Sequence, residues 1–221
     1  IAGSEPLNGL NISPMDVSER SLYEIHLPPY KKAIDAGVYS IMAAHNELNG
    51  IPSHMHKGLM TDLLRNEWGF DGFYVSDWYD IKRIWSYHKV ARNYKEASLF
   101  SVEAGMDMNM HGPNFLENVI KLVEEGKLSQ ERIDFSARKI LYAKFKLGLF
   151  ENPFVDPNDI KNKVFTEEHL KTALNAARKS IVLLKNDGIL PISKKRGKNI
   201  LVTGPNANNH SVLGGLGLGT T

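Results

Sequence analysis

The sequence contains no cysteine. Disulfides, thiol nucleophiles and cysteine metal sites are therefore excluded, while the compartment stays open, because cysteine-free proteins occur on both sides of membranes. Long apolar runs are also missing. Nothing approaches the roughly 20 residues a spanning helix needs, so no membrane partner is expected. The first residues, IAGSEPLNGLN, lack the basic start and apolar middle of a signal peptide, and position 1 is not methionine. A processed, engineered or partial chain is the expectation. Excess charge of one sign is lacking too: 27 Lys+Arg against 25 Asp+Glu leave a net charge of +2. Nucleic acid and anionic membrane surfaces are not expected partners for such a balance. What remains is an ordinary globular composition, 221 residues with 42% hydrophobic and 24% charged. That length suits one large domain, or one domain and part of another.

Turn residues punctuate the chain. SERSLYEIHL has helical spacing until Pro28–Pro29 interrupts it, and PYKKAIDAG resumes the helix with Gly37 placed as its cap. VYSIMAA reads as a short strand, HNELNGIPSH as turns, and HKGLMTDLLRNEWG as a helix stopped by Gly69. GFYVSDW then begins as a strand and ends on Ser76, Asp77 and Trp78. NYKEASLFSVEAG predicts a helix ending near Gly105, MDMNM a short strand, and PNFLENVIKLVEEGK and SQERIDFSARKILYAKFKLG two further helices. Ser129 is placed to cap the last of these and Gly148 to end it. The alternation of helices with short, mostly apolar strands is that of a parallel sheet covered on both faces.

The composition changes at FENPFVDPNDIKNK, where Pro153 and Pro157 suggest a crossing segment. TEEHLKTALNAARKS predicts a helix opened by Thr166, and SIVLLKN and NILVTGPNA predict strands joined by a loop with the basic run KKRGK. GGLGLGTT lacks the GxGxxG order of a dinucleotide loop.

Among groups able to do chemistry, Asp77 has two readings. It can cap a helix after a strand. It can also stand at the carboxyl end of a parallel strand, where α/β barrels place nucleophiles, bases and metal ligands. Trp78 beside it is either core or a ring face for a sugar. Met42 and His45 close the preceding strand and could face the same mouth, or be a core methionine and a structural histidine. HMH, residues 54–56, and DMNMH lack carboxylates at metal-ligand spacing, so no metal is expected.

Taken together, SERSLYEIHLPPYKKAIDAG, SIMAAHNELNGIPSH, LMTDLLRNEWGFDGFYVSDW, EAGMDMNM, ARKILYAKFKLGLFENP, SIVLLKNDGILPI and ILVTGPNAN resemble, in order, segments of the glycoside hydrolase family 3 enzymes, the β-glucosidase and β-xylosidase group. The resemblance implies an α/β chain: the C-terminal part of a (β/α)8 barrel over 1–149, a linker and connecting helix over 150–178, and the start of an α/β sandwich domain over 179–221. It implies a retaining β-glycosidase acting on β-linked oligosaccharides or glycosides without a cofactor. Asp77 matches the family's nucleophile, Trp78 the aromatic beside it and Met42 a methionine lining the glycone site. His45 stands where many members carry a tyrosine, which adds a group titrating near neutrality. The family's acid/base matches no residue of this chain, and neither Glu47 nor Asp80 is assigned that role. The remainder of a parent chain is therefore expected to complete the barrel, and a periplasmic or secreted setting fits the family. The alternatives are a carbohydrate-binding or structural barrel fragment without turnover, and a metal-dependent barrel hydrolase.

Overall fold

A computed structural model of the chain describes residues 5–193 and 199–209. KKRGK and GGLGLGTT lie outside the described residues. The chain divides into two compact units, Ile1–Val155 and Asp156–Thr221.

The first unit opens with α1 (Glu19–Ser21), capped by the Ser18 side chain, which accepts from the Ser21 N–H. Helical backbone then continues through the wider turn Leu22–His26 into α2 (Leu27–Asp35). Pro28 and Pro29 do not break this path, contrary to the sequence expectation. They lie in the first turn of α2, and the two N–H groups that proline lacks fall where the bonding changes from the wider turn to the α-helix. The preceding turn spaces its bonds more widely, the Leu27 N–H reaching the Leu22 carbonyl.

Strand β1 (Ser40–Met42) follows, and β2 (Glu47–Leu48) pairs antiparallel with β3 (Ile51–Pro52) inside the stretch read from sequence as turns. A wide-turned helix over Gly58–Glu67 ends at Gly69 (φ 73°) and leads into β4 (Phe73–Val75). β1 and β4 pair in parallel, with Ser40, Ile41 and Met42 opposite Phe73, Tyr74 and Val75. On the other edge of β4, Met108 and His111 bridge in parallel to Val75 and Trp78. MDMNM thus runs extended beside β4 but makes only single bridges. Gly72 admits this arrangement, since a Cβ there would stand 2.2 Å from the Tyr39 carbonyl oxygen.

Four further helices cover this small sheet: α3 (Asp80–Ser86), α4 (Tyr94–Ala104), α5 (Phe115–Glu124) and α6 (Gln130–Lys146). α4 ends at Gly105 (φ 117°), a left-handed position that favours glycine. α6 is capped by the Ser129 hydroxyl, which accepts from the Arg132 N–H. Leu27, Leu64, Phe70, Tyr74, Ile81, Ile84 and Met106 fill the core, and Val102, Val119, Leu122 and Leu128 form a second cluster.

A buried carboxylate joins sheet and helices. Asp107 Oδ2 accepts from the Tyr74 N–H at 2.9 Å and from Arg65 at 2.9 Å. Its Oδ1 accepts from Ser136 at 2.6 Å and Arg132 at 3.3 Å. The side chain has no solvent exposure. Four donors, two of them guanidinium groups, offset the desolvation of this charge.

The second unit holds α7 (Ile160–Lys163) and α8 (Glu167–Ser180), the latter capped by Thr166. SIVLLKN and NILVTGPNA, expected as strands, form none among the described residues, and Val182, Leu184 and Leu201 are exposed. A strand needs a neighbour to receive its N–H and C=O groups, and these segments have no ladder partner there.

Candidate active site

Parallel pairing brings the ends of β1 and β4 side by side. The Ala43 N–H donates to the Val75 carbonyl at 3.2 Å, so the chain leaving β1 toward His45 follows the chain leaving β4 toward Asp77. Ser76 turns inward and is fully buried. Its hydroxyl accepts from the Met110 N–H at 2.9 Å, and its own N–H donates to the Met108 carbonyl at 2.8 Å. Alternation along an extended chain then sends Asp77 to the opposite face.

Asp77 is held by three groups. Its N–H donates to His54 Nε2 at 2.9 Å. Its Oδ1 accepts from the Trp78 N–H at 2.6 Å, and its Oδ2 lies 3.0 Å from His45 Nε2. About a quarter of the side chain stays exposed. Asp77 is not the cap of α3. The residue before that helix is Tyr79, in left-handed backbone (φ 63°). The reversal there leaves Trp78 exposed while Asp80 is buried.

Asp80 is a site residue to which the sequence reading gave no role. Its Oδ2 lies 2.7 Å from His45 Nδ1, and its Oδ1 accepts from Arg83 at 2.5 Å. Arg83 also donates to the Trp78 carbonyl at 3.1 Å. Burial pushes the Asp80 carboxyl above its ordinary value, opposed by its bonds to Arg83 and His45. The available sequence signal was the spacing Asp-x-x-Arg, residues 80 and 83, on one helical face.

His54 was likewise passed over, read as part of a metal-like triplet. It is buried, and that burial, with the neighbouring His45, His88 and Arg83, lowers its pKa to about 3. Because its Nε2 accepts from Asp77, the ring is neutral with its proton on Nδ1. The 3.7 Å separation of Nε2 from Asp80 Oδ2 is consequently no ion pair.

Trp78 is half-exposed and stacks on His111 with ring centroids 4.0 Å apart and planes 14° apart. Tyr79 meets the same imidazole edge-on at 4.7 Å. Met42, Met108 and Met110 are also exposed, each by about two-fifths. The structure thus brings Asp77 and His45 into direct contact, and sets Trp78 next to Asp77 in the chain.

His45, Asp77 and Asp80 offer ligand atoms within 4.8 Å of one another. Metal would have to displace existing partners: both His45 nitrogens face carboxylates, and the Arg83 cation occupies Asp80. The set is an ion-pair and hydrogen-bond network. Asp77 is its open end, a carboxylate bonded by the Trp78 N–H, beside His45, with no guanidinium partner among the described residues and with access to solvent. Such a group can act as a nucleophile toward an electrophilic carbon.

Residues 2–143 match the family model described as the glycosyl hydrolase family 3 N-terminal domain. A β-xylosidase of Formosa agariphila is 39% identical over 216 residues, which cover 92% of this chain and 30% of that protein. Among solved structures, a β-glucosidase from Erythrobacter marinus superposes with a TM-score of 0.81 at 37% identity, covering 86% of this chain and 26% of that one. A β-glucosidase from Listeria innocua in complex with glucose superposes with a TM-score of 0.78 at 39% identity, covering 85% and 26%. The chain thus spans between a quarter and a third of the length of these relatives.

Proposed function

The chain belongs to glycosyl hydrolase family 3, and from that membership we propose that it carries the nucleophile of a retaining β-glycosidase of the β-glucosidase or β-xylosidase type. Asp77, ionised, attacks the anomeric carbon of a terminal β-linked sugar. The carbon–oxygen bond to the leaving group breaks as the bond to Asp77 Oδ forms. A second carboxyl group donates a proton to the departing oxygen, then takes one from the water that releases the sugar.

The observation that carries this reading is the environment of Asp77: an open carboxylate, hydrogen-bonded by the Trp78 N–H and 3.0 Å from His45 Nε2, at the end of a parallel strand. The Trp78 N–H fixes the direction of one carboxylate oxygen, and His45 Nε2 lies beside the other. The exposed faces of Trp78 and Met42 supply apolar surface for a sugar ring. The same reading takes β1, β4 and the extended run 106–110 as consecutive strands of a (β/α)8 barrel, and residues beyond about 179 as the start of an α/β sandwich.

Retaining chemistry places its two carboxyl groups about 5 Å apart. Asp80 lies within that range of Asp77 but cannot serve as the acid. Its side chain is only 1% exposed, and its oxygens are held by Arg83 and His45. In this reading the acid comes from sequence outside residues 1–221, and turnover belongs to the longer protein.

The test replaces Asp77 by Asn in that longer protein and assays aryl β-glucosides and aryl β-xylosides. Loss of about 10^4-fold or more in kcat, the scale for removing a covalent nucleophile, is expected. Cleavage of both substrates at parental rates refutes the assignment.

A further inference from the structure

Both nitrogens of His45 face carboxylate oxygens: Nε2 lies 3.0 Å from Asp77 Oδ2 and Nδ1 lies 2.7 Å from Asp80 Oδ2. We propose that Asp80 and His45 form a proton-holding bridge that keeps a hydrogen-bond donor on Asp77, with Asp80 as the positioning residue. The inference rests on the reading of Asp77 as nucleophile only for its kinetic consequence. The proton arrangement stands on geometry alone.

An imidazole nitrogen close to a carboxylate either donates or presents its lone pair to an anion. Two short contacts therefore require two protons in the bridge. Either His45 carries both, between two carboxylates, or it carries one and a carboxyl takes the other; the enclosed Asp80, 1% exposed, then holds that proton rather than Asp77, 24% exposed and solvated as an anion, which leaves the His45 proton on Nε2. In both forms Nε2–H points at Asp77, which stays an anion. If the bridge releases one proton to solvent, the remaining proton is drawn to Nδ1, between His45 and the enclosed Asp80. Nε2 then turns its lone pair on Asp77, so an attraction becomes a repulsion at the attacking carboxylate.

The surroundings make Asp80 suitable for this role. Its other oxygen is fixed by Arg83 at 2.5 Å and its side chain is 1% exposed. Arg83 Nη1 stands 3.4 Å from His45 Nδ1, and this cation limits the gain from charging His45. His54 faces the same carboxylate from the turn after β3 at 3.7 Å and is neutral, as its acceptor role toward Asp77 requires. Glu47 and His88, 3.3 Å apart, are the next titratable pair. Asp77, Asp80, Arg83, His54 and the Glu47–His88 pair are thus the groups that set the bridge's titration.

Arg83 also dictates what an amide would do at position 80. In Asp80→Asn the carbonyl oxygen stays on Arg83, and the NH2 group faces His45 Nδ1. That fixes His45 as the neutral Nε2–H tautomer, with no second proton to lose. His45→Gln supplies an amide N–H in place of Nε2–H and cannot titrate at all.

The test follows histidine side-chain nitrogens by long-range 1H–15N NMR on the 15N-histidine-labelled longer protein, across pH 5 to 10. His45 is identified by the signal lost in His45→Gln. The expected result is a proton on Nε2 at neutral pH that is lost as pH rises. In Asp80→Asn the Nε2 proton should persist with its midpoint moved up by at least about one pH unit, or absent from the range. A wild-type His45 with bare Nε2 and a proton on Nδ1 alone at pH 6 overturns the proposal. So does a midpoint unchanged by Asp80→Asn.

A second arm uses the longer protein and an aryl glycoside with a leaving group that needs no acid. The alkaline fall in kcat/KM expected for the parent should be absent in His45→Gln. An identical alkaline fall in that variant refutes the kinetic role. If no β-glycoside is cleaved at all while the NMR result holds, the proton bridge is supported and the glycosidase reading fails.

Discussion

Asp77 and Asp107 are the same chemical group on neighbouring extended segments, and the fold treats them in opposite ways. Asp107 is wholly enclosed, with four donors that include Arg65 and Arg132. Every oxygen lone pair in reach of a partner is used, and the charge is spent on holding helix to sheet. Asp77 is partly open, accepts from one backbone N–H, lies 3.0 Å from an imidazole nitrogen, and has no Lys or Arg locked against it among the described residues. A saturated carboxylate has nothing left to give a substrate, whereas an undersaturated one at the end of a strand has. The contrast lies in partner number and exposure, not in residue type.

One substitution made at both places breaks this comparison most directly. Asp77→Asn should abolish turnover by about 10^4-fold in the longer protein, yet change unfolding free energy by less than about 1 kcal/mol. Asp107→Asn should do the reverse to stability: uncompensated guanidinium groups cost about 3–5 kcal/mol, read as a lowered urea midpoint. Equal stability losses at the two positions would erase the distinction.

The next effect is in pH. His54 falls from 6.5 to about 3 on folding. Below 6.5 the unfolded chain takes up a proton that the native chain refuses. The stability associated with neutral His54 is therefore full above 6.5 and is lost as pH falls toward 3, by up to about 1.4 kcal/mol per pH unit. Asp80 has the opposite sign. Its carboxyl is raised above 3.8, so its contribution is present at low pH and is lost as pH rises through the raised value. Urea unfolding at stepped pH should show the acid-side slope flattened in His54→Gln, with the Asp80 trend left.

The smallest effect concerns the Asp107 side alone. Tyr74 donates to the Met60 carbonyl at 2.7 Å from the core, and burial raises its pKa well above the usual tyrosine value. Tyr74→Phe should cost about 1–2 kcal/mol by leaving that carbonyl unpaired. Turnover in the longer protein should change far less than in Asp77→Asn.

Local signals carried much of the fold. Helix ends at Gly105, Ser129 and Thr166 follow from one residue each and hold in the structure. α3 escaped the sequence reading because two of its core-side positions are disguised. Ile81 and Ile84 are fully buried at helical spacing, but between Asp80, which is also buried, and charged Lys82 and Arg83. A pattern that counts Asp as polar cannot register a carboxylate buried by its partners. SIVLLKN failed in the other direction: β-branched composition marks a willingness to be a strand, and pairing needs a neighbour that local sequence does not supply.

For the site, the sequence by itself determined that a carboxylate and an indole follow a strand, because strand length and turn chemistry are local. It also carried the family resemblance through ordered motifs. Only the tertiary structure decided which groups Asp77 and Asp80 meet. His45 is separated from Asp80 by 35 positions, and it arrives there because β1 and β4 pair in one parallel register. Proton placement, and with it the chemistry open to Asp77, depends on distances of about one hydrogen bond between distant segments, which spacing along a chain does not encode.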